Sequence, residues 1–253
     1  MPFKVQPTTL SDIPQLVDIY FASISSNTFS SAIFPDTPPV RQWWIDTLSR
    51  SLQHQKGVAM YNLLEYASGT ATPVFANNET NQNNNIIAFA KWVRPMESAA
   101  ATADDPPTVE TPPPPTDCDQ ALFTRYFTEL HQRHESYMGT NNPHWYLELL
   151  ATHPSCSHKR RDAAAAALVN HVLGGGGDCI NAGYDAYLEA GPGGLMSTTY
   201  GRLGFERRGG FVVEGRGERW EGVVMVREGG KREGEEKKET MGEGEGEGRG
   251  EQG

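Results

Sequence analysis

The sequence predicts a mixed α/β fold, and three observations carry that expectation. Strand-like and helix-like periodicities alternate along the chain instead of falling into separate blocks. Trp145 to Ala151 is almost continuously apolar, as a strand covered on both faces should be. An alanine-rich segment then separates it from a second short apolar run, Ala186 to Ala190.

Taken in order, Phe3 to Pro7 reads as a strand. Thr9 or Ser11 caps the helix that follows, with Asp12 in its first turn and Pro14 near its start, where proline is tolerated. Ile13, Leu16, Val17, Ile19 and Tyr20 keep helical spacing. A second helix runs from Pro39 to about Gln53, striped by Trp43, Trp44, Ile45 and Leu48. Gly57 to Tyr66 and Ile86 to Val93 are partner strands around a polar loop, Asn77 to Asn85; Pro95 stops the second. Met96 to Asp119 shifts to Ala, Asp, Thr and Pro, the composition of a flexible or polyproline-like insertion. Leu122 to Tyr137 is an amphipathic helix. After the strand Trp145 to Ala151, a helix spans Asp162 to Leu173 and ends at Gly174 to Gly177. Ala186 to Ala190 is a strand, Gly194 to Arg202 a short helix, and Phe205 to Val213 with Gly222 to Val226 a closing hairpin.

Composition bounds the function. The net charge of -10 disfavours non-specific nucleic-acid binding, which needs a basic surface. Three cysteines, Cys118, Cys156 and Cys179, form no close pair and no four-ligand zinc cluster, so neither a structural disulfide nor a metal is expected. No stretch approaches the roughly 20 apolar residues of a membrane span, and MPFKVQPTTL lacks a secretory pattern, which points to a cytoplasmic protein, with the nucleus also open. Residues 229–253 alternate Glu and Gly with a single Met, too little apolar surface to offset the entropy of ordering, and read as a disordered tail.

Chemistry concentrates between His144 and Phe205. From Pro154 to Ala164 a strand runs through a loop into a helix N-terminus. Free amides and the helix dipole there favour a phosphate, and Lys159, Arg160 and Arg161 add positive charge. The alternative is a solvated basic turn with a capped helix. The Gly174 to Gly177 run follows a helix instead of opening one, so it reads as a connection.

The runs HWYLELLATHP, AYLEAGP and YGRLGF resemble those of the GNAT family of acetyl-CoA-dependent N-acetyltransferases, fungal-type members in particular. The resemblance covers roughly the C-terminal half of the folded part. It implies a single domain over 1–228, interrupted at about 96–119, with a mostly antiparallel sheet of six to seven strands flanked by helices and splayed between the fourth and fifth. It implies acetyl-CoA as co-substrate and a small-molecule or peptide amine as acceptor, with the loop after the first helix and the aromatic-rich second helix lining the acceptor side and Ser23 to Pro35 as its lid. The backbone of Leu149, Leu150, Ala151 and Thr152 would pair with the pantetheine arm as an added strand does. The amides and charges of Lys159, Arg160, Arg161, Asp162, Ala163 and Ala164 would hold the pyrophosphate. Tyr200 matches the family's general acid, and Glu148 is the leading candidate base, with Glu189 a weaker rival. The structural alternatives are a Tyr200 that only packs and a Glu148 that only pairs with a neighbour.

Asp162 departs from the family pattern, which has Gly there so that backbone can approach phosphate closely. Its carboxylate, as a favoured N-cap, would compete for the amides. Two like charges about 4 Å apart cost on the order of 4 kcal/mol at an effective dielectric of about 20, roughly a thousandfold in affinity. That departure sustains a second expectation, a GNAT-fold binding or scaffold protein with weak or no catalysis. A third rests on Pro112 to Pro115 as a polyproline segment docking an aromatic groove.

Overall fold

A computed structural model describes residues 3–54, 57–65, 86–95, 112–174, 183–191, 199–215 and 217–229. Seven strands form one sheet: β1 (Phe3–Pro7), β2 (Val58–Glu65), β3 (Ile86–Val93), β4 (Trp145–Thr152), β5 (Ala186–Ala190), β6 (Glu206–Gly215) and β7 (Glu218–Arg227). Their spatial order is β1-β2-β3-β4-β5-β7-β6. Every neighbouring pair is antiparallel except β4 and β5, which run parallel. Among the described residues, five α-helices flank the sheet: α1 (Ile13–Ile24), α2 (Thr28–Ile33), α3 (Pro38–His54), α4 (Gln120–Met138) and α5 (His158–Leu173).

The strands alternate their side chains between two apolar layers. Helices α1 to α4 pack on one face with Phe89, Ala151, Tyr187 and Val224; α5 packs on the other with Ala88, Leu147, Leu188 and Val223. On α5, Ala165, Leu168, Val169 and Val172 recur at helical spacing and all are fully buried. Each buried Leu or Val there stabilises the fold by about 1.5–3 kcal/mol. Helix α4 starts where Asp119 accepts the Leu122 N–H at 3.0 Å, and ends at Gly139, whose φ of 72° a β-carbon would strain. A buried chain of bonds pins the start of α1 to β2: Thr8 Oγ1 donates to Asn62 Oδ1 at 2.7 Å, and Asn62 Nδ2 donates to Asp12 Oδ2 at 2.9 Å.

Three expectations change. Helix α5 begins at His158 behind the N-cap Ser157, four residues before the expected Asp162, so Asp162 lies one turn inside it. Ser23 to Pro35 contains α2, and its Phe29, Ile33 and Phe34 are core residues, so it is a packed element and not a lid. The end of the proline-rich segment is tied down: the Trp43 indole donates to the Pro112 carbonyl at 3.0 Å, Thr37 Oγ1 donates to Asp117 at 2.7 Å, and Cys118 is buried. The expected loop Asn77 to Asn85, most of the insertion, Gly175 to Gly177, the start of the Gly194 helix and the tail beyond Gly229 lie outside the described residues.

Candidate active site

The parallel pair at the centre of the sheet is short. β4 and β5 are matched only at Trp145–Ala186, Tyr146–Tyr187 and Leu147–Leu188. Glu148 and Glu189 are the next residues on the two strands, so a carboxylate stands on each side of the fork where the strands part. Beyond it, β4 continues through Leu149, Leu150, Ala151 and Thr152 with β3 on its other edge. Those four residues therefore present an edge toward β5 that β5 does not fill.

Glu148 owes its direction to a bulge. Lys91 lies opposite Leu149 and Trp92 opposite Leu147, which leaves Glu148 as the extra residue of β4. The bulge sends Glu148 and Leu149 toward the same face, where both line a cleft with Tyr146. Lys91 Nζ, nearly buried, approaches the Glu148 carboxylate at 2.9 Å, while 39% of the Glu148 side chain stays exposed. So Glu148 does pair with a neighbour, and it also faces a cleft.

Glu189 is a perturbed carboxylate. Burial pushes its pKa up to about 7, with the Glu148 charge adding to the rise. Hydrogen bonds from Tyr187, at 2.8 Å, and from Tyr146 oppose that rise without cancelling it. A carboxyl group that titrates near neutrality is suited to taking up and releasing a proton. Of the two candidate bases, Glu148 lines the cleft, while Glu189 is half-buried beside Tyr146 and Tyr187. The spacing Tyr187-x-Glu189 was the available signal, since it places both side chains on one face of a strand.

The cleft itself has a volume of about 240 Å³. Its walls come from Tyr20 on α1, Phe34, Trp44 on α3, and Tyr126, Phe127 and His134 on α4. The Tyr20 and Trp44 rings lie 4.3 Å apart, and Phe34 meets Trp44 edge-on at 5.2 Å. Burial, reinforced by neighbouring His144 and His131, holds the His134 pKa down to about 4. His134 is therefore a neutral ring at neutral pH. The aromatic helix α3 contributes Trp44 to this cleft.

The remaining site residues from the sequence lie elsewhere. Tyr200 is buried on the α5 face of the sheet, 5.9 Å from the Phe205 ring, and burial raises its pKa. At the start of α5, the Arg160 and Arg161 amides both donate to Ser157 O at 2.9 Å. Asp162, Ala163 and Ala164 lie farther along the helix, where amides are spent on intrahelical bonds; the free ones are those of His158 and Lys159. The Arg160 guanidinium is paired with Glu65 of β2, whose side chain is fully buried. Lys159 is exposed. Asp162 reaches His158 Nδ1 at 3.2 Å, and its Oδ1, like Arg161 Nε, is buried without a hydrogen-bond partner.

The comparisons bear on this arrangement. No protein-family model matches the chain, and no curated protein matches it in sequence. Among solved structures, a Corynebacterium glutamicum protein described as histone acetyltransferase and related acetyltransferase is similar over 92% of this chain and 99% of its own, with a TM-score of 0.52 and 19% identity. A GNAT-superfamily phosphinothricin acetyltransferase from Sinorhizobium meliloti, solved with acetyl-CoA, is similar over 92% of this chain and 91% of its own, at a TM-score of 0.51 and 14% identity. This chain has the GNAT fold. The C-terminal condensation domain of Ebony, in complex with beta-alanyl-dopamine, is similar at a TM-score of 0.55 and 12% identity, over 90% of this chain and 99% of that one. At such identities the GNAT likeness concerns architecture, and the chemistry must be argued from the residues.

Proposed function

We propose that the chain is an N-acyltransferase that moves the acetyl group of acetyl-CoA to a small amine. The observation that carries the proposal is the fork: β4 and β5 part at two carboxylates, and a bulge turns Glu148 into an aromatic cleft. The free edge from Leu149 to Thr152 fits the pantetheine arm as an added strand. An amine in the cleft attacks the thioester carbonyl carbon; a C–N bond forms and the C–S bond breaks. Glu148 holds the incoming ammonium group, and Glu189, behind the Tyr146 wall, accepts its proton. Tyr200, kept protonated by burial on the α5 face, is the donor proposed for the departing thiolate across the fork, and the second proton shed by the nitrogen restores it. The products are the acetylamide and free CoA.

The diphosphate end fits less well. The His158 and Lys159 amides and the exposed Lys159 ammonium are donors an anion can use. Arg160 is committed to Glu65, and the orphaned Asp162 Oδ1 can only repel a phosphate. These two residues favour a second reading, in which the chain keeps the fold as a binding module. Calorimetric titration of the full chain with acetyl-CoA tests both. The transferase reading expects weak binding that tightens by tenfold or more in Asp162→Gly. No heat in either protein at millimolar acetyl-CoA, with both folded by circular dichroism, would leave the binding module as the surviving account.

A further inference from the structure

We infer that the cleft above Glu148 is built for an aryl-alkyl amine, a single aromatic ring carrying a short arm that ends in an ammonium group. The inference deepens the acyl-transfer proposal, on which it rests, by naming the class of acceptor.

Size is the first argument. Pockets for drug-sized ligands run from about 300 to 1,000 Å³, and this one is about 240 Å³. Its walled part matches one ring and a short arm. Wall chemistry is the second. Tyr20, Phe34, Trp44, Tyr126, Phe127 and Tyr146 surround it, and their spacing is set by ring contacts at 4.3 Å for Tyr20–Trp44 and 5.2 Å for Tyr126–Phe127. Ring edges and faces stack favourably on another ring, and the faces attract a cation.

Charge is the third argument. Glu148 lies among the lining residues, with 39% of its side chain exposed, while its partner Lys91 is only 7% exposed. The carboxylate thus stands between the cleft and the lysine, and a ligand ammonium meets the anion first. Opposing charge on the walls is small: His134 is neutral at neutral pH, and His131 sits outward at 70% exposure, 3.4 Å from Glu135. A linear polyamine needs several carboxylates along its length, and among the described lining residues Glu148 is the one carboxylate. One anion at the end of an aromatic box matches one ammonium at the end of an aromatic body.

Calorimetry on the full chain without acetyl-CoA reads the inference directly. The probes are 2-phenylethylamine, its neutral analogue 2-phenylethanol, and spermidine. The amine is expected to bind at least tenfold tighter than either of the others. Glu148→Gln is expected to erase the preference for amine over alcohol, and Phe127→Leu, at an exposed ring that can change without unfolding the chain, to weaken the amine several-fold. Equal binding of the alcohol, tighter binding of spermidine, or no binding of the three overturns the inference. A separate assay with acetyl-CoA keeps the two proposals apart. Acetylation of spermidine but not phenylethylamine would retain the transferase and remove the aryl-alkyl acceptor. Phenylethylamine that binds as expected but is never acetylated would do the reverse.

Discussion

Replacing Glu189 by Gln should make the protein more stable at pH 8 and less active. The Glu189 carboxyl titrates at about 7 in the folded chain, against 4.5 for an unperturbed glutamate, because burial penalises its charge. A difference of roughly 2.5 pH units, at about 1.4 kcal/mol per unit, amounts to about 3 kcal/mol. The sign follows from proton counts. Below pH 4.5 the folded and unfolded chains both hold the proton and nothing is lost. Between 4.5 and about 7 only the folded chain holds it, so stability falls as pH rises, and above 7 the full cost is in place. Glutamine never ionises, and its amide oxygen still accepts the Tyr187 hydroxyl. Because Glu189 is only half-buried, water screens part of the cost, and about 2–3 kcal/mol is the expected gain. For a chain of this length that corresponds to about 4–10 °C in Tm. Melting curves followed by circular dichroism at pH 8 and pH 4.5 measure it. The variant should gain at pH 8 and match the parent at pH 4.5, while acetyl transfer falls by about 100-fold or more. An equal gain at both pH values, or none at pH 8, would refute the reasoning.

Three further outcomes follow from single contacts. Arg160→Met leaves the buried Glu65 carboxylate without its guanidinium and should cost about 3 kcal/mol in urea denaturation, with Glu65→Gln in the same chain restoring most of it. Gly222→Ala puts a methyl group into the Phe211 and Trp220 rings beneath the β6–β7 hairpin and should lower stability by about 1–3 kcal/mol, read as an earlier denaturation midpoint. Tyr200→Phe deletes one hydroxyl from a packed site, so Tm should change little while kcat drops by about 100-fold or more; an unchanged kcat would make Tyr200 a packing residue.

The sheet was legible because its strands announce themselves locally. Ile86–Val93 and Ala186–Ala190 are apolar runs bounded by breakers, and both were placed to the residue. The start of α5 was misread because the resemblance imposed a loop on Lys159 to Asp162, residues that are all helix-compatible; Ser157 was the better cap. Helix α2 was missed because six residues carry little periodicity, yet Asn27 advertised it, accepting the Ser30 N–H at 3.0 Å. The site was legible in part. Glu148 was found on its strand, but the bulge that turns it and the Lys91 that pairs with it depend on how β3 and β4 register. The rise of Glu189 depends on burial and on the Glu148 charge, with Tyr146 and Tyr187 opposing it, and the pairing of β4 with β5 is what brings these groups together.

Hydrogen exchange along β4 tests the central claim most directly. Adding acetyl-CoA to the full chain should slow exchange in the peptide covering 149–152, because a ligand laid along the open edge gives those amides new partners. The peptides of β6 and β7 should be unaffected. Unchanged exchange across 149–152 at a concentration where calorimetry shows the acetyl-CoA bound would contradict the claim that the fork between β4 and β5 is where the acyl donor lies.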